Sequence, residues 1–304
     1  MAETTPDYGK YLDPKVLAEI AGLDLRARLV VEGYVSGMHR SPYRGYSVEF
    51  AEHREYTQGD DLKHLDWKVF GRTNKYYVKQ YEEETNLNCL MLLDCSESMA
   101  YRSDPKGLSK LEYATAIAAS LTYLALQQQD SVGLAAFDEQ ITRFVRPSNN
   151  PGHWKTLIQE MEAAAGKRKT DLGTVMNDLA ERLPRRMLIV VLSDLFDNLN
   201  RIVRGLKHLR YRRHEVIVFH VMDHAELEFP FGSATLFEGL ERTGRLLAEP
   251  KALRQRYLKE VQEFTSALRA RCRDLRTDYE VVDTARPLNA VLTSYLATRN
   301  AMGR

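Results

Sequence analysis

Residues 87–98 read Leu87-Asn88-Cys89-Leu90-Met91-Leu92-Leu93-Asp94-Cys95-Ser96-Glu97-Ser98, an apolar run that stops at an aspartate and opens into a hydroxyl-rich loop. The run does not alternate between apolar and polar residues. A segment of this length without alternation suits a strand buried on both faces, as in a parallel sheet covered by helices. Similar runs recur downstream: Ser131 to Phe137, the short Ile141 to Val145, Met187 to Leu192 ending at Ser193-Asp194, Val216 to Met222, and Tyr279 to Val282.

Between these runs the apolar spacing turns helical. Leu111, Ala114, Ile117, Ala118, Leu121, Leu124 and Ala125 form one stripe, and Trp154, Ile158 and Met161 begin a second. Leu172, Val175, Met176, Leu179 and Leu183 form a third, stopped by Pro184, and Ile202, Val203, Leu206 and Leu209 a fourth. Long helices fit Ala252 to Leu275 and Leu288 to Ala297. Strand and helix in alternation predict an α/β fold, a doubly wound and mostly parallel sheet over residues 86–304. Residues 224–250 break the pattern with turn-like Phe229-Pro230-Phe231-Gly232 and Arg242-Thr243-Gly244-Arg245, which predicts an inserted β-hairpin. Residues 1–85 differ in character and form a smaller α+β segment: a helix over Pro14 to Gly33, then β character at Tyr46 to Phe50 and Tyr76 to Tyr81.

The chain has 304 residues, 44% of them hydrophobic, enough for a sizeable core. Lys plus Arg number 43 and Asp plus Glu 42, so no global charge draws the chain to nucleic acid or an anionic membrane. Three cysteines, Cys89, Cys95 and Cys272, are too few and too scattered for a disulfide framework or a zinc site, and the first two read as buried thiols. No signal pattern opens the chain, and no stretch approaches the roughly 20 apolar residues of a spanning helix. The expectation is a soluble cytoplasmic protein, and nothing in the sequence sets its oligomeric state.

Two apolar runs end in aspartate, at Asp94 and at Asp194. Ligands of open parallel sheets bind beyond the C-terminal strand ends, near the switch in strand order. Both carboxylates are thus expected at one crevice. Ser96 and Ser98, at alternate positions, turn two hydroxyls toward one point, and Thr170 enters from the loop before the helix at Asp171. Two carboxylates with three hydroxyls make an all-oxygen donor set, suited to Mg²⁺, with Mn²⁺ or Ca²⁺ as alternatives. Taken singly, each residue has a plainer use: serines and aspartates cap helices and end strands, and Thr170 reads as a helix cap. Their coincidence at the correct junctions makes the metal reading. Glu97 and Asp171 read as solvated or structural.

Residues 86–300 resemble a von Willebrand factor A domain, whose adhesion motif is Asp-x-Ser-x-Ser followed by Thr and Asp. The resemblance implies that Ser96, Ser98 and Thr170 contact the metal, that Asp94 and Asp194 act through water, and that a partner carboxylate completes the shell. Leu195 stands where many such domains carry Gly. Upstream, Gly45-x-Ser47-x-Glu49-Phe50, Arg54-x-Tyr56, Gly59-Asp60-Asp61, Leu65-Asp66-Trp67 and Val78-Lys79-x-Tyr81-Glu82 resemble the signature of a bacterial family, domain of unknown function fifty-eight. Its members are typically encoded beside MoxR-type AAA+ ATPases, and many carry membrane helices before this segment. This chain resembles the short soluble form. The resemblance implies a non-enzymatic, metal-dependent adaptor that acts with such an ATPase and a client protein.

Two other readings stand beside it. A metal-dependent hydrolase needs a nucleophile or general base near Asp94, and the sequence offers only Glu97 and Asp171. Nucleic-acid binding would use Arg201, Arg204, Lys207, Arg210, Arg212 and Arg213, which read more simply as a solvated helix face. In the stretch GDDLKHLDW, the expectation is a turn with a packed Trp67 and salt-bridged aspartates, partnered by Arg40, Arg44 or Arg54, rather than a second acidic site. His220, inside an apolar run, reads as a core histidine.

Overall fold

Cys89, Met91 and Leu93 join one apolar cluster while Leu90 and Leu92 join another, and all five are sealed from solvent. That two-sided burial is why the run carries no polar alternation. The structure is a computed structural model and describes residues 48–57, 65–83, 87–150, 152–164, 169–232, 235–238, 245–248 and 250–302. The chain divides into two compact units, one holding the described residues up to Glu83, the other those from Leu87 onward.

In the first unit, strand β1 (Val48–Glu55) pairs antiparallel with β2 (Tyr77–Glu83), with a register shift between Phe50 and Glu52. Between them lies the two-turn helix α1 (Trp67–Thr73). Asp66 is buried and caps α1, accepting from the backbone N–H groups of Lys68 (2.9 Å) and Val69 (3.2 Å). Trp67 departs from expectation: it is 63% exposed and touches Phe70 edge-on. The buried positions of this turn are Leu65 and Asp66, so the first residue of α1 points outward. Asp60, Asp61, His64, Arg40, Arg44 and the helix expected at Pro14 to Gly33 lie outside the described residues.

The second unit is built on β3 (Asn88–Asp94), β4 (Ser131–Phe137), β5 (Ile141–Ser148), β6 (Leu188–Ser193), β7 (Glu215–Met222) and β10 (Asp278–Asp283), in the order β10-β7-β6-β3-β4-β5. All neighbours are parallel except β5, an antiparallel edge strand. Its alternating burial is what an edge beside solvent demands. One face of the sheet is covered by α2 (Lys110–Gln127), α3 (His153–Glu162) and the helix Leu288–Met302. The other is covered by α4 (Leu172–Arg182), α5 (Leu199–Tyr211) and the helix Pro250–Asp274. This is the doubly wound α/β architecture that the runs predict. After the short helix α6 (His224–Glu228), strands β8 (Thr235–Glu238) and β9 (Arg245–Ala248) pair antiparallel. The long helices that follow are α7 (Pro250–Asp274) and α8 (Leu288–Met302). No helix among the described residues is long and apolar enough to cross a membrane.

The order of strands places the site. From β3 the chain winds out to β4 and β5, then returns to β6 on the other side of β3. The switch in winding therefore falls between β3 and β6, whose C-terminal ends carry Asp94 and Ser193-Asp194. Helices α4 and α5 meet there through two glycines. A Cβ on Gly173 would stand 2.9 Å from Arg201 Cβ, and one on Gly205 2.8 Å from Met176 Cβ. That close approach holds the loop bearing Thr170 against the loop that follows Asp194.

Candidate metal centre

Asp94 closes β3 and is fully buried. Its Oδ1 accepts from the backbone N–H of Ser96 at 2.9 Å, which folds the following loop back over the carboxylate. Its Oδ2 accepts from Ser193 Oγ at 2.6 Å and from Thr170 Oγ1 at 3.1 Å. Ser96 and Ser98 bring their hydroxyl oxygens within 3.2 Å of each other, Ser98 from the short 3-10 turn Glu97–Ala100. The chain beyond Asp94 is held to the neighbouring strand end by Cys95 N–H on Phe137 O, and the Thr170 loop by Asp171 N–H on Asp138 O. Four of the five expected residues thus meet around one carboxylate.

Asp194 reaches the same crevice but has a partner that the sequence reading missed. Lys110 Nζ donates to Asp194 Oδ2 at 2.8 Å and to Glu226 Oε1 at 2.8 Å. Its side chain is 2% exposed and that of Asp194 4%. The other Asp194 oxygen accepts from Phe196 N–H at 3.2 Å. Burial alone would lower the Lys110 pKa, but the charges of Asp194 and Glu226 outweigh it and raise it above the ordinary lysine range. The two carboxylates thus favour the ammonium form of Lys110. A signal for it was present: Ser109 and Glu112 form a capping box that places Lys110 in the first turn of a largely apolar helix, where the macrodipole disfavours a cation.

The electrostatics of the pair are those of a site short of positive charge. Burial, and then the charge of Asp194, push the Asp94 carboxyl up to about 7, against the hydrogen bonds from Ser193 and Ser96. The donor spacing fits a hard cation. Ligands at about 2.1 Å in an octahedron stand about 3.0 Å apart along each edge. The Ser96–Ser98 separation of 3.2 Å, between two hydroxyl oxygens that would both be direct ligands, is close to that edge. No group of three His, Cys, Asp or Glu side chains among the described residues is placed to hold a metal ion by itself, so a cation here would rely on the hydroxyls.

Nearby groups have structural uses. Asp171, rather than Thr170, caps α4, accepting from Thr174 N–H at 3.1 Å, and it pairs with Arg201. Burial drives the Cys95 thiol up to about 12, so it is no nucleophile. His220 is buried, lowered to about 4 chiefly by that burial, and its Nδ1 lies 2.7 Å from Tyr279 OH, as a core histidine should. Cys89 and Cys272 are buried free thiols. Of the basic stretch, Arg201 is bound to Asp171 and Thr174, Arg210 to the carbonyls of Leu275 and His214, and Arg212 to that of Ala180. Those three guanidiniums brace loops and helix ends. Beside the centre, Phe196 is 66% exposed.

The family described as Protein of unknown function DUF58 matches residues 52–266. Uncharacterised proteins of Mycobacterium tuberculosis and Mycobacterium bovis are each 30% identical to this chain over 223 residues, 72% of this chain and 68% of theirs. Among solved structures, the conserved hypothetical protein BatB from Bacteroides thetaiotaomicron is similar over 71% of this chain and 100% of its own, with 17% identity and a TM-score of 0.46. The Rpn10 VWA domain is similar over 71% of this chain and 95% of its own, with 12% identity and a TM-score of 0.40.

Proposed function

The chain belongs to the DUF58 family, and on that premise we propose that it is a metal-dependent protein-binding adaptor, without catalytic activity of its own, that works with a MoxR-type AAA+ ATPase on a client protein. One observation carries the reading: Ser96, Ser98 and Thr170 converge on the buried Asp94 at the strand switch, with the two serine oxygens at a spacing suited to a hard cation. Those three hydroxyls would hold the ion, with Asp94 and Asp194 behind them acting through water. Mg²⁺ is the expected ion. When bound, it would supply a Lewis-acidic position for a carboxylate of the partner. The exposed Phe196, two residues beyond Asp194, would give that partner an apolar contact beside its carboxylate.

The absence of catalysis is supported by the state of the neighbouring groups. Cys95 is held as a thiol, His220 is engaged with Tyr279, and the two serine hydroxyls face each other. The carboxylate that the site's hydroxyls meet, Asp94, is fully buried and already accepts from Ser96, Ser193 and Thr170, which suits a group that orients ligands rather than a general base. The ATPase partner follows from the family resemblance, and the site chemistry supports only the partner's carboxylate. The test is retention of a purified MoxR-type ATPase on the immobilised chain, with Mg²⁺ and with chelator, for wild type and for the Ser96→Ala/Ser98→Ala variant. Retention that needs both the ion and the serines is expected. Equal retention in chelator, or none in any condition, overturns the proposal.

A further inference from the structure

Lys110 has no role in the adhesion site as read from its motif, yet it is the cation that Asp194 already holds. Its ammonium is nearly sealed from water, at the end of a helix that disfavours it, between two carboxylates at 2.8 Å and 5.8 Å from the centre of the Tyr101 ring. Apolar residues in place of the whole Lys110–Asp194–Glu226 cluster would pack at lower cost, since a buried ion pair seldom outperforms its hydrophobic replacement in stability. A fold requirement therefore does not account for it. The charge inventory does. One ammonium stands between two carboxylates, Asp194 and Glu226, with the Asp94 carboxyl at the same crevice, so the groups gathered here hold more acid than Lys110 offsets.

We propose that Lys110 is a tethered cation that competes with the divalent ion for Asp194, and so keeps the site weak and exchangeable. The inference rests on the metal-binding reading above. Glu226 makes the competition reversible. When Asp194 turns toward the ion, the ammonium keeps its second carboxylate and is not left unpaired in the interior. Glu226 is also the capping-box residue of α6, bonded to Asp223 N–H at 2.8 Å, so the resting place of Lys110 is built into the helix that opens the hairpin insertion. The two residues thus act in opposite senses. Removing the ammonium frees Asp194 for the ion, and removing the Glu226 charge leaves the ammonium to Asp194 alone.

Titration calorimetry of the full chain with Mn²⁺ and with Mg²⁺ tests this, for wild type, Lys110→Met, Glu226→Gln and Ser96→Ala/Ser98→Ala. Lys110→Met is expected to bind roughly tenfold tighter or more, the scale set by a unit charge a few ångströms from the ion in a protein interior. Glu226→Gln is expected to bind several-fold more weakly. Melting curves should show Lys110→Met less stable than wild type in chelator and gaining more from added Mg²⁺. A folded Lys110→Met with unchanged or weaker affinity overturns the proposal. Should that variant not fold, Glu226→Gln decides, and unchanged or tighter binding by it overturns the proposal. If wild type binds and the double serine variant does not while Lys110→Met equals wild type, only this inference falls. If no variant binds either ion, the metal reading falls with it.

Discussion

Ser193 Oγ donates to Asp94 Oδ2 at 2.6 Å and accepts from the backbone N–H of Leu195 at 2.9 Å, joining the ends of two adjacent strands 99 residues apart in sequence. One hydroxyl thereby orients the central carboxylate of the candidate centre and shapes the loop beyond the second.

Ser193→Ala removes both bonds inside a fully buried pocket. It leaves the Leu195 N–H without that acceptor and Asp94 with one donor fewer. A loss of about 1–3 kcal/mol in urea unfolding is expected, the cost of buried polar groups left unpaired. A variant as stable as wild type would show that the hydroxyl is dispensable to the strand ends.

Leu195 has φ of 53°, the left-handed region that favours glycine, and is 1% exposed. The backbone strain is about 1–2 kcal/mol, whereas loss of a buried leucine side chain costs about 2–5 kcal/mol. Leu195→Gly is therefore expected to destabilise despite relieving φ. Denaturant titration showing a gain in stability would mean that strain, not burial, dominates at this position.

Gly205→Ala places a Cβ 2.7 Å from Met176 Cε and 2.8 Å from its Cβ. Overpacking of about 1–3 kcal/mol is expected to outweigh the better helix propensity of alanine, about 1 kcal/mol. Under the proposed function, the same displacement of α4 from α5 should lower divalent-ion affinity through Thr170, so calorimetry and melting are read together. An unchanged affinity would separate the helix contact from the site.

His214 is 1% exposed, neither ring nitrogen has a hydrogen-bond partner among the described residues, and burial, helped by Arg212, lowers its pKa to about 4. The folded state then binds the proton less well than the unfolded chain, whose histidine titrates near 6.5. Above that pH the group contributes nothing. As pH falls from about 6.5 to about 4, it removes stability at about 1.4 kcal/mol per pH unit. His214→Leu should therefore gain on wild type across that window. Parallel stability curves for the two proteins would refute the assignment.

Phe196→Ser removes an apolar side chain that is 66% exposed, so its effect on melting should be within about 0.5 kcal/mol. Under the proposed function, retention of the ATPase falls by tenfold or more, roughly the effect of losing about 1.4 kcal/mol from an aromatic contact. Retention equal to wild type would place the partner contact elsewhere.

Much of this architecture was legible because burial writes itself into composition. Leu188–Ser193 and Glu215–Met222 are buried at every position, and their sequences are nearly pure apolar runs for that reason. The aspartates were less decisive. Asp94, Asp138, Asp194, Asp223 and Asp283 all stand at or just after the C-terminal ends of sheet strands. Asp223 caps a helix and Asp283 anchors Ala285 N–H and pairs with His224, so strand-end aspartate by itself does not mark a site. The hydroxyls of Ser96, Ser98 and Thr170 distinguished the pair. Trp67 was misread because aromatic content predicts burial only on average, and a two-turn helix has no inner face wide enough to enforce it.

The sequence alone determined the alternation of strand and helix, the hairpin insertion, and the motif that names Asp94, Ser96, Ser98, Thr170 and Asp194. Each depends on local periodicity or short-range spacing, which a linear chain records. Only the tertiary structure decided that Lys110, 84 residues from Asp194, lies against it with Glu226 on its other side, and that Ser193 ties Asp94 to the neighbouring strand. Those relations follow from strand order. The winding that puts β3 beside β6, with α2 and α6 at the same edge, brings together charges whose separation along the chain carries no sign that they meet.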